Sequence, residues 1–339
     1  VTQAEDQRMP IDRRTVLGSA IGLGVAATAA AGAAQESPAD ARDHAIWPPR
    51  ESFRLWPGRP PGAPAEPPVP HDSAEGRPGH RQLWLRGIAD PIVGVFRPTR
   101  PDGRAMLILP GGGYGFVSIQ NEGTQIAERF AREGITGFVL GYRLPQEGWA
   151  DPADVPLQDA QRAMRLIRAN AARYGIDARR LGTIGFSAGG HLAGSLIVGH
   201  DDRVYKPVDA ADSHSARPAF AGLIYPVVTI GRDPQTGSYR NLLGRTADAA
   251  TRARYEIDAR ITPAAPPLFV AQALDDGTVA PDNGIALLAA ARAARVPVEA
   301  HLFERGGHGF GLHADPALPA AQWPTLFSAW LASHGATPQ

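Results

Sequence analysis

The chain has 339 residues, 43% of them hydrophobic and 20% charged, which suits one large soluble domain better than two small ones. Its 34 Lys and Arg balance 34 Asp and Glu, so no basic field draws in nucleic acid or an anionic membrane, and a neutral partner is expected. The absence of cysteine excludes disulfides, thiolate metal sites and a cysteine nucleophile together.

Near the N-terminus, Arg13-Arg14 precedes an uncharged Ala/Gly-rich run from Gly18 to Ala34 that contains Ala31-Gly32-Ala33. A charged region, a weakly hydrophobic run and an A-x-A site together predict a removable export signal of the twin-arginine type over residues 1–34, with an exported, periplasmic or secreted protein as its product. No stable membrane anchor is expected from a run so poor in leucine. Residues 35–81 are rich in Pro and Gly, as in Trp56-Pro57-Gly58-Arg59-Pro60-Pro61-Gly62, and are expected to form an extended surface arm or a linker.

From residue 82 to 339 short apolar runs alternate with helical patterns. Strands are predicted over Ile92–Phe96, Ala105–Leu109, Gly137–Leu140, Leu181–Ile184, Phe220–Val228, Leu268–Ala273 and Val298–Phe303. Helices are predicted over Thr124–Glu133, Leu157–Tyr174, the segment after Ser187, Asp282–Ala294 and Ala321–Ser333. Leu157, Ala160, Met164, Ile167 and Ala171 form one apolar stripe, and Gly175 suits a left-handed helix end. This order implies an α/β fold with a mostly parallel central sheet and helices on both faces. Ligands then bind beyond the carboxyl ends of the strands, so the residues just after each strand are the ones to inspect.

The strand ending at Ile184 runs into Gly185-Phe186-Ser187-Ala188-Gly189-Gly190 and then into a helix. In a strand–turn–helix elbow, side chains two residues either side of the serine would strike the neighbouring strand or helix, and glycine removes both clashes. Ser187 is therefore the candidate nucleophile. Upstream, Ala105–Leu109 ends at Pro110-Gly111-Gly112-Gly113-Tyr114, whose backbone N–H groups can face a developing oxyanion. Gly112, Gly113 and Ala188 are the candidate donors. Pro110 stands where the usual pattern of this loop has His, so whatever that His contributes to holding the loop must come from elsewhere.

In the α/β-hydrolase fold the acid and then the histidine follow the serine along the chain. His308 lies in the glycine-rich loop Arg305-Gly306-Gly307-His308-Gly309-Phe310 after the last strand and is the candidate base; His313 is the alternative. His191 lies before the acid in the chain, so packing or hydrogen bonding beneath the site is expected of it. After Leu268–Ala273 come Asp275 and Asp276, of which Asp276 matches the D-x-x-V spacing through Val279; Asp275 and Asp282 stay open. Asp159 and Asp177 read as structural, the latter as a cap.

Together with Leu55-Trp56-Pro57-Gly58, Asn121-Glu122-Gly123, Gly141-Tyr142-Arg143-Leu144 and Tyr225-Pro226-Val227-Val228, these motifs resemble bacterial acetyl xylan and feruloyl esterases, close to the hormone-sensitive-lipase-like esterases. The resemblance spans roughly Leu55 to Leu312. It implies an α/β-hydrolase that needs no metal or cofactor and acts on a small-molecule or saccharide ester. Ser187, Asp276 and His308 would be its triad. Glu122, Tyr142 and Arg143 match positions beside the oxyanion loop, where they either shape the acyl pocket or fix the loop. Tyr114 and Phe310 are expected to line the substrate site. The polar stretch 231–267 is either a cap over the site or a solvated insertion.

The expected reaction is two-step acyl transfer on a carboxylic ester, with deacetylation of xylan-type carbohydrate esters as the expected activity and a generic short-chain carboxylesterase as the alternative. A prolyl-oligopeptidase-like peptidase would need a large N-terminal domain for which residues 35–81 leave no room. A non-catalytic binding protein on this fold would lack a triad member, and here all three positions are filled.

Overall fold

A computed structural model describes residues 45–76, 81–232 and 236–334. The expected export signal, with Arg13-Arg14, lies outside the described residues. In chain order the strands are β1 (Ser52–Arg54), β2 (His71–Glu75), β3 (Gln82–Arg86), β4 (Ile92–Phe96), β5 (Ala105–Leu109), β6 (Thr136–Gly141), β7 (Leu181–Phe186), β8 (Ala221–Ile224), β9 (Leu268–Ala273) and β10 (Val298–Phe303). The helices are α1 (Gln125–Ala131), α2 (Val155–Ala169), α3 (Ala171–Tyr174), α4 (Ala188–Val198), α5 (Gly237–Leu243), α6 (Ala249–Arg254), α7 (Asp282–Ala293) and α8 (Trp323–His334). Among the described residues no helix is long and apolar enough to cross a membrane.

Eight strands form one sheet in the order β1-β4-β6-β5-β7-β8-β9-β10. Every pair from β6 to β10 is parallel, and the pairs β1–β4 and β4–β6 are antiparallel. Alternate residues of β9 show why its sequence is apolar throughout. Leu268 and Val270 pack with Leu287 and Ala291 of α7, whereas Phe269 meets Phe327 of α8 edge-on from the other side. A strand covered on both faces has no solvent phase, so its sequence does not alternate.

Three elements depart from the sequence reading. The predicted helix Leu157–Tyr174 breaks at Asn170 (φ −110°), whose side-chain amide donates to Leu166 O and competes with the helical ladder. Gly175 then ends α3 in the left-handed conformation, at φ +67°. The predicted strand Phe220–Val228 shortens to β8, because Tyr225 turns to φ +38° and Pro226 has no N–H to continue the ladder. Within the stretch expected to be a surface arm, β1 pairs with β4, and Leu55 and Trp56 are buried. Trp56 Nε1 donates to Asp159 Oδ1 (2.9 Å), which explains how so Pro-rich a segment is anchored.

Candidate active site

The turn between β7 and α4 holds Ser187 at φ +53° and ψ −121°, a backbone conformation that L-residues rarely adopt. The glycines on either side are sterically required. A Cβ on Gly185 would lie 2.1 Å from Gly189 O, and one on Gly189 would lie 2.0 Å from Leu109 O. Ser187 N–H donates to Ile224 O (3.0 Å), so the elbow is fastened to the end of β8 while its side chain faces the cleft.

Ser187 Oγ lies 2.9 Å from His308 Nε2, and His308 Nδ1 lies 2.7 Å from Asp276 Oδ2. Asp276 Oδ1 accepts from Thr278 N and Val279 N, both at 2.9 Å. Burial pushes the Asp276 carboxyl up, but the bond to His308 and the backbone donors outweigh it and hold its pKa below the usual aspartate value. A carboxylate only accepts, so His308 carries its proton on Nδ1 and presents the Nε2 lone pair to the serine hydroxyl. The structure thus brings together the three residues singled out from the sequence.

Of the alternatives, Asp282 lines the cleft at the start of α7, but His308 Nδ1 is taken by Asp276, and the others sit elsewhere. Asp275 accepts from Gly306 N (2.9 Å) and Gly307 N (2.8 Å), so it fastens the loop that carries His308. His313 contacts Gln125 Oε1 at the surface. His191 is fully buried between Tyr114 Oη and Tyr255 O, at 2.8 Å from each, and burial lowers its pKa to about 4. Asp177 caps a short 3₁₀ turn through Arg179 N, and Asp159 forms a fully buried ion pair with Arg143 (2.8 Å).

In the loop after β5, Gly112 and Gly113 have φ of +126° and +60° and line the cleft. A Cβ on Gly112 would lie 2.1 Å from Phe116 O. The N–H groups of Gly112, Gly113 and Ala188 have no acceptor among the described residues, whereas Gly111 N–H is taken by Glu122 Oε2 (2.7 Å). Three further contacts bind this loop where a His is missing. Tyr142 Oη donates to Pro110 O (2.7 Å), Asn241 Nδ2 donates to Gly113 O (2.8 Å), and Tyr225 Oη donates to Glu122 Oε1 (2.8 Å). Tyr142 and Glu122 therefore fix the loop. Arg143 is held by Asp159 and Gln158 and by the faces of Trp56 and Trp149.

Tyr114 and Phe310 do not line the cleft, contrary to the sequence expectation. Tyr114 turns inward, with φ +60° and 1% exposure, because its hydroxyl is the partner of buried His191. Phe310 packs edge-on against Tyr225, with ring centroids 4.6 Å apart. The aromatic residues that do line the cleft are Trp84 and Phe116. The cleft holds about 930 Å³. Thr236, Gly237, Ser238 and Asn241 form one of its walls, so part of the 231–267 stretch borders the site.

A family profile described as BD-FAE matches residues 95–290, well over half of the chain. The chain belongs to the BD-FAE family. It is 36% identical over 210 residues to endo-1,4-beta-xylanase B of Butyrivibrio fibrisolvens, covering 62% of this chain and 33% of that protein. It is 31% identical over 221 residues to the acetylxylan esterase of Xylanibacter ruminicola, covering 64% and 43%. The chain thus spans less than half the length of these curated relatives. Among solved structures, it superposes on an acetyl ester-xyloside bifunctional hydrolase from Caldicellulosiruptor lactoaceticus with a TM-score of 0.69 at 30% identity, covering 84% of this chain and 96% of that one. The fold is that of the α/β-hydrolases.

Proposed function

We propose that this member of the BD-FAE family is a serine carboxylic-ester hydrolase that removes acetyl groups from xylan-type carbohydrate esters. The observation that carries the reading is the relay Ser187 Oγ to His308 Nε2 at 2.9 Å and His308 Nδ1 to Asp276 Oδ2 at 2.7 Å. His308 takes the Ser187 proton as the oxygen attacks the ester carbonyl. The N–H groups of Gly112, Gly113 and Ala188 receive the oxyanion, and His308 returns the proton to the departing alcohol. Water activated by the same imidazole then releases the acyl group. Asp276 fixes the ring and stabilises its cation.

The names of the relatives, a xylanase, an acetylxylan esterase and an acetyl ester-xyloside hydrolase, support an acetylated saccharide as substrate. The polar side chains of Thr236, Ser238 and Asn241 on one wall of the cleft support it as well, since they offer hydrogen bonds to the hydroxyls of a sugar. Purified protein assayed on p-nitrophenyl esters and acetylated xylan tests the reading. Acetyl esters are expected to turn over faster than butyryl and far faster than octanoyl, and Ser187→Ala is expected to lower kcat by about three powers of ten or more. A variant that keeps a tenth of the parent kcat would remove Ser187 as nucleophile, and a preference for octanoyl would remove the substrate assignment.

A further inference from the structure

The hairpin of β2 and β3 stands apart from the main sheet, and its sequence shows what its outer face is for. Along β3, Leu83 and Leu85 are buried in the core, so the opposite phase of the pleat carries Gln82, Trp84 and Arg86. Polar residues are ordinary there, but a tryptophan is not, and Trp84 meets Phe116 face to face with ring centroids 3.9 Å apart and planes within 14°. The Arg86 guanidinium lies 5.6 Å from one ring centroid and 5.2 Å from the other. With the rings 3.9 Å apart, those nearly equal distances place it beside the stack, leaving the outer faces of the pair uncovered by it. Ser73 Oγ accepts from Arg86 (2.9 Å) and holds it there.

The pair is built into the candidate catalytic loop. Leu85 and Val117 exchange backbone hydrogen bonds of 3.0 and 2.9 Å, which dock the hairpin on the residue next to Phe116. Leu83 N–H donates to Gln120 Oε1 (3.1 Å) for the same purpose. Phe116 N–H donates to Gly112 O (3.2 Å), so the second ring belongs to the turn that presents the candidate oxyanion donors. A two-stranded hairpin is marginal by itself, and here it is held by several ties that serve to place Trp84 at the cleft.

Gln82, Ser118 and Asn121 line the cleft with the two rings. A flat aromatic surface edged by neutral amides and a hydroxyl matches a pyranose, whose C–H face packs on a ring while its hydroxyls take hydrogen bonds. We propose that the Trp84–Phe116 stack is the subsite for the sugar ring of the alcohol moiety. This rests on the reading of Ser187 as the nucleophile of an ester hydrolase, and it adds the surface that selects a saccharide over a simple alcohol.

The test compares p-nitrophenyl acetate, acetylated xylo-oligosaccharide and methyl ferulate as substrates of the parent, Trp84→Leu and Trp84→Phe. The leucine variant keeps apolar bulk and loses the flat face. Its KM for the acetylated saccharide is expected to rise about tenfold with kcat little changed, while p-nitrophenyl acetate stays within twofold and Trp84→Phe recovers most of the loss. Equal losses on both acetyl esters, no loss on either, or a loss confined to methyl ferulate would each overturn the subsite. A parent that hydrolyses p-nitrophenyl acetate but no acetylated saccharide would overturn it too, and would leave the ester hydrolase standing. Failure of the parent on every ester, with no fluorophosphonate labelling of Ser187, would instead bring down the underlying reading.

Discussion

The adjacent carboxylates Asp275 and Asp276 are one position apart and hold different things. Asp276 Oδ1 accepts two backbone N–H groups, so in Asp276→Asn the amide oxygen stays with Thr278 and Val279 and the NH₂ turns toward His308. That NH₂ can only donate, which forces His308 to accept at Nδ1 and to carry its proton on Nε2, facing Ser187 where a lone pair is needed. Asp276→Asn is expected to lower kcat by about 10²–10⁴-fold. In Asp275→Asn one amide oxygen can still accept from Gly306 and Gly307, so the expected change is within about threefold, of the size that a loosened loop produces. Steady-state kinetics on p-nitrophenyl acetate rank the two, and the reverse ranking would transfer the orienting role to Asp275. This choice was legible in the sequence because the D-x-x-V spacing ties one aspartate to Val279. The job of Asp275 was not, since nothing in a sequence says which backbone N–H groups a side chain will meet.

A π-helical turn over Gln120–Thr124 precedes α1 and joins the two loops of the site. Glu122 Oε2 accepts from Gly111, Glu122 Oε1 accepts from Tyr225 Oη, and Tyr225 Oη accepts in turn from Gly311 N–H (3.1 Å), three residues past His308. Burial raises the Glu122 pKa, opposed by those two donors and by His308. In Glu122→Gln the amide oxygen can keep Gly111 N–H while the NH₂ turns to donate to Tyr225 Oη, whose own proton then loses its acceptor, so the tie between the two loops weakens. The expected result on p-nitrophenyl acetate is a kcat about tenfold lower with KM within threefold, the pattern of a group that positions others without binding substrate. A kcat within twofold of the parent would show that the loops hold their places without Glu122. The helix itself was readable from its apolar spacing. The π turn was not, because its cause is tertiary: Asn121 and Glu122 both face loops from distant parts of the chain. Trp84 escaped notice for a related reason. Its hairpin follows a Pro-rich stretch, and only the buried phase of Leu83 and Leu85 marks the tryptophan as facing outward.

Across the whole molecule, apolar runs sufficed to place the parallel strands, because residues buried on both faces leave a continuous signal, and the order of strand ends then located the site. Tyr114 and Phe310 were misplaced because aromatic character alone does not distinguish the wall of a cleft from the packing behind it. Tyr114 is held inside by His191, and that contact carries a consequence for the stability of the fold. His191 Nε2–H donates to Tyr255 O and its Nδ1 accepts from Tyr114 Oη, so the neutral ring satisfies both neighbours, whereas a second proton on Nδ1 would make Tyr114 Oη the acceptor and take away the partner of its hydroxyl hydrogen. Burial depresses the folded-state pKa to about 4 from an ordinary value of 6.5. With the folded value the lower one, the unfolded chain binds the proton first. The stability contributed by neutral His191 is therefore whole above pH 6.5, declines as pH falls through the window, and is gone below about pH 4. The shift corresponds to about 3 kcal/mol over that window. His191→Gln can keep both hydrogen bonds, its amide oxygen accepting from Tyr114 and its NH₂ donating to Tyr255, while removing the titration. Urea unfolding of parent and variant at pH 7, 5.5 and 4.5 is expected to show the parent losing stability relative to the variant as pH falls, the subtraction cancelling every other group that titrates in the same range. Parallel curves would mean that His191 does not titrate with the fold.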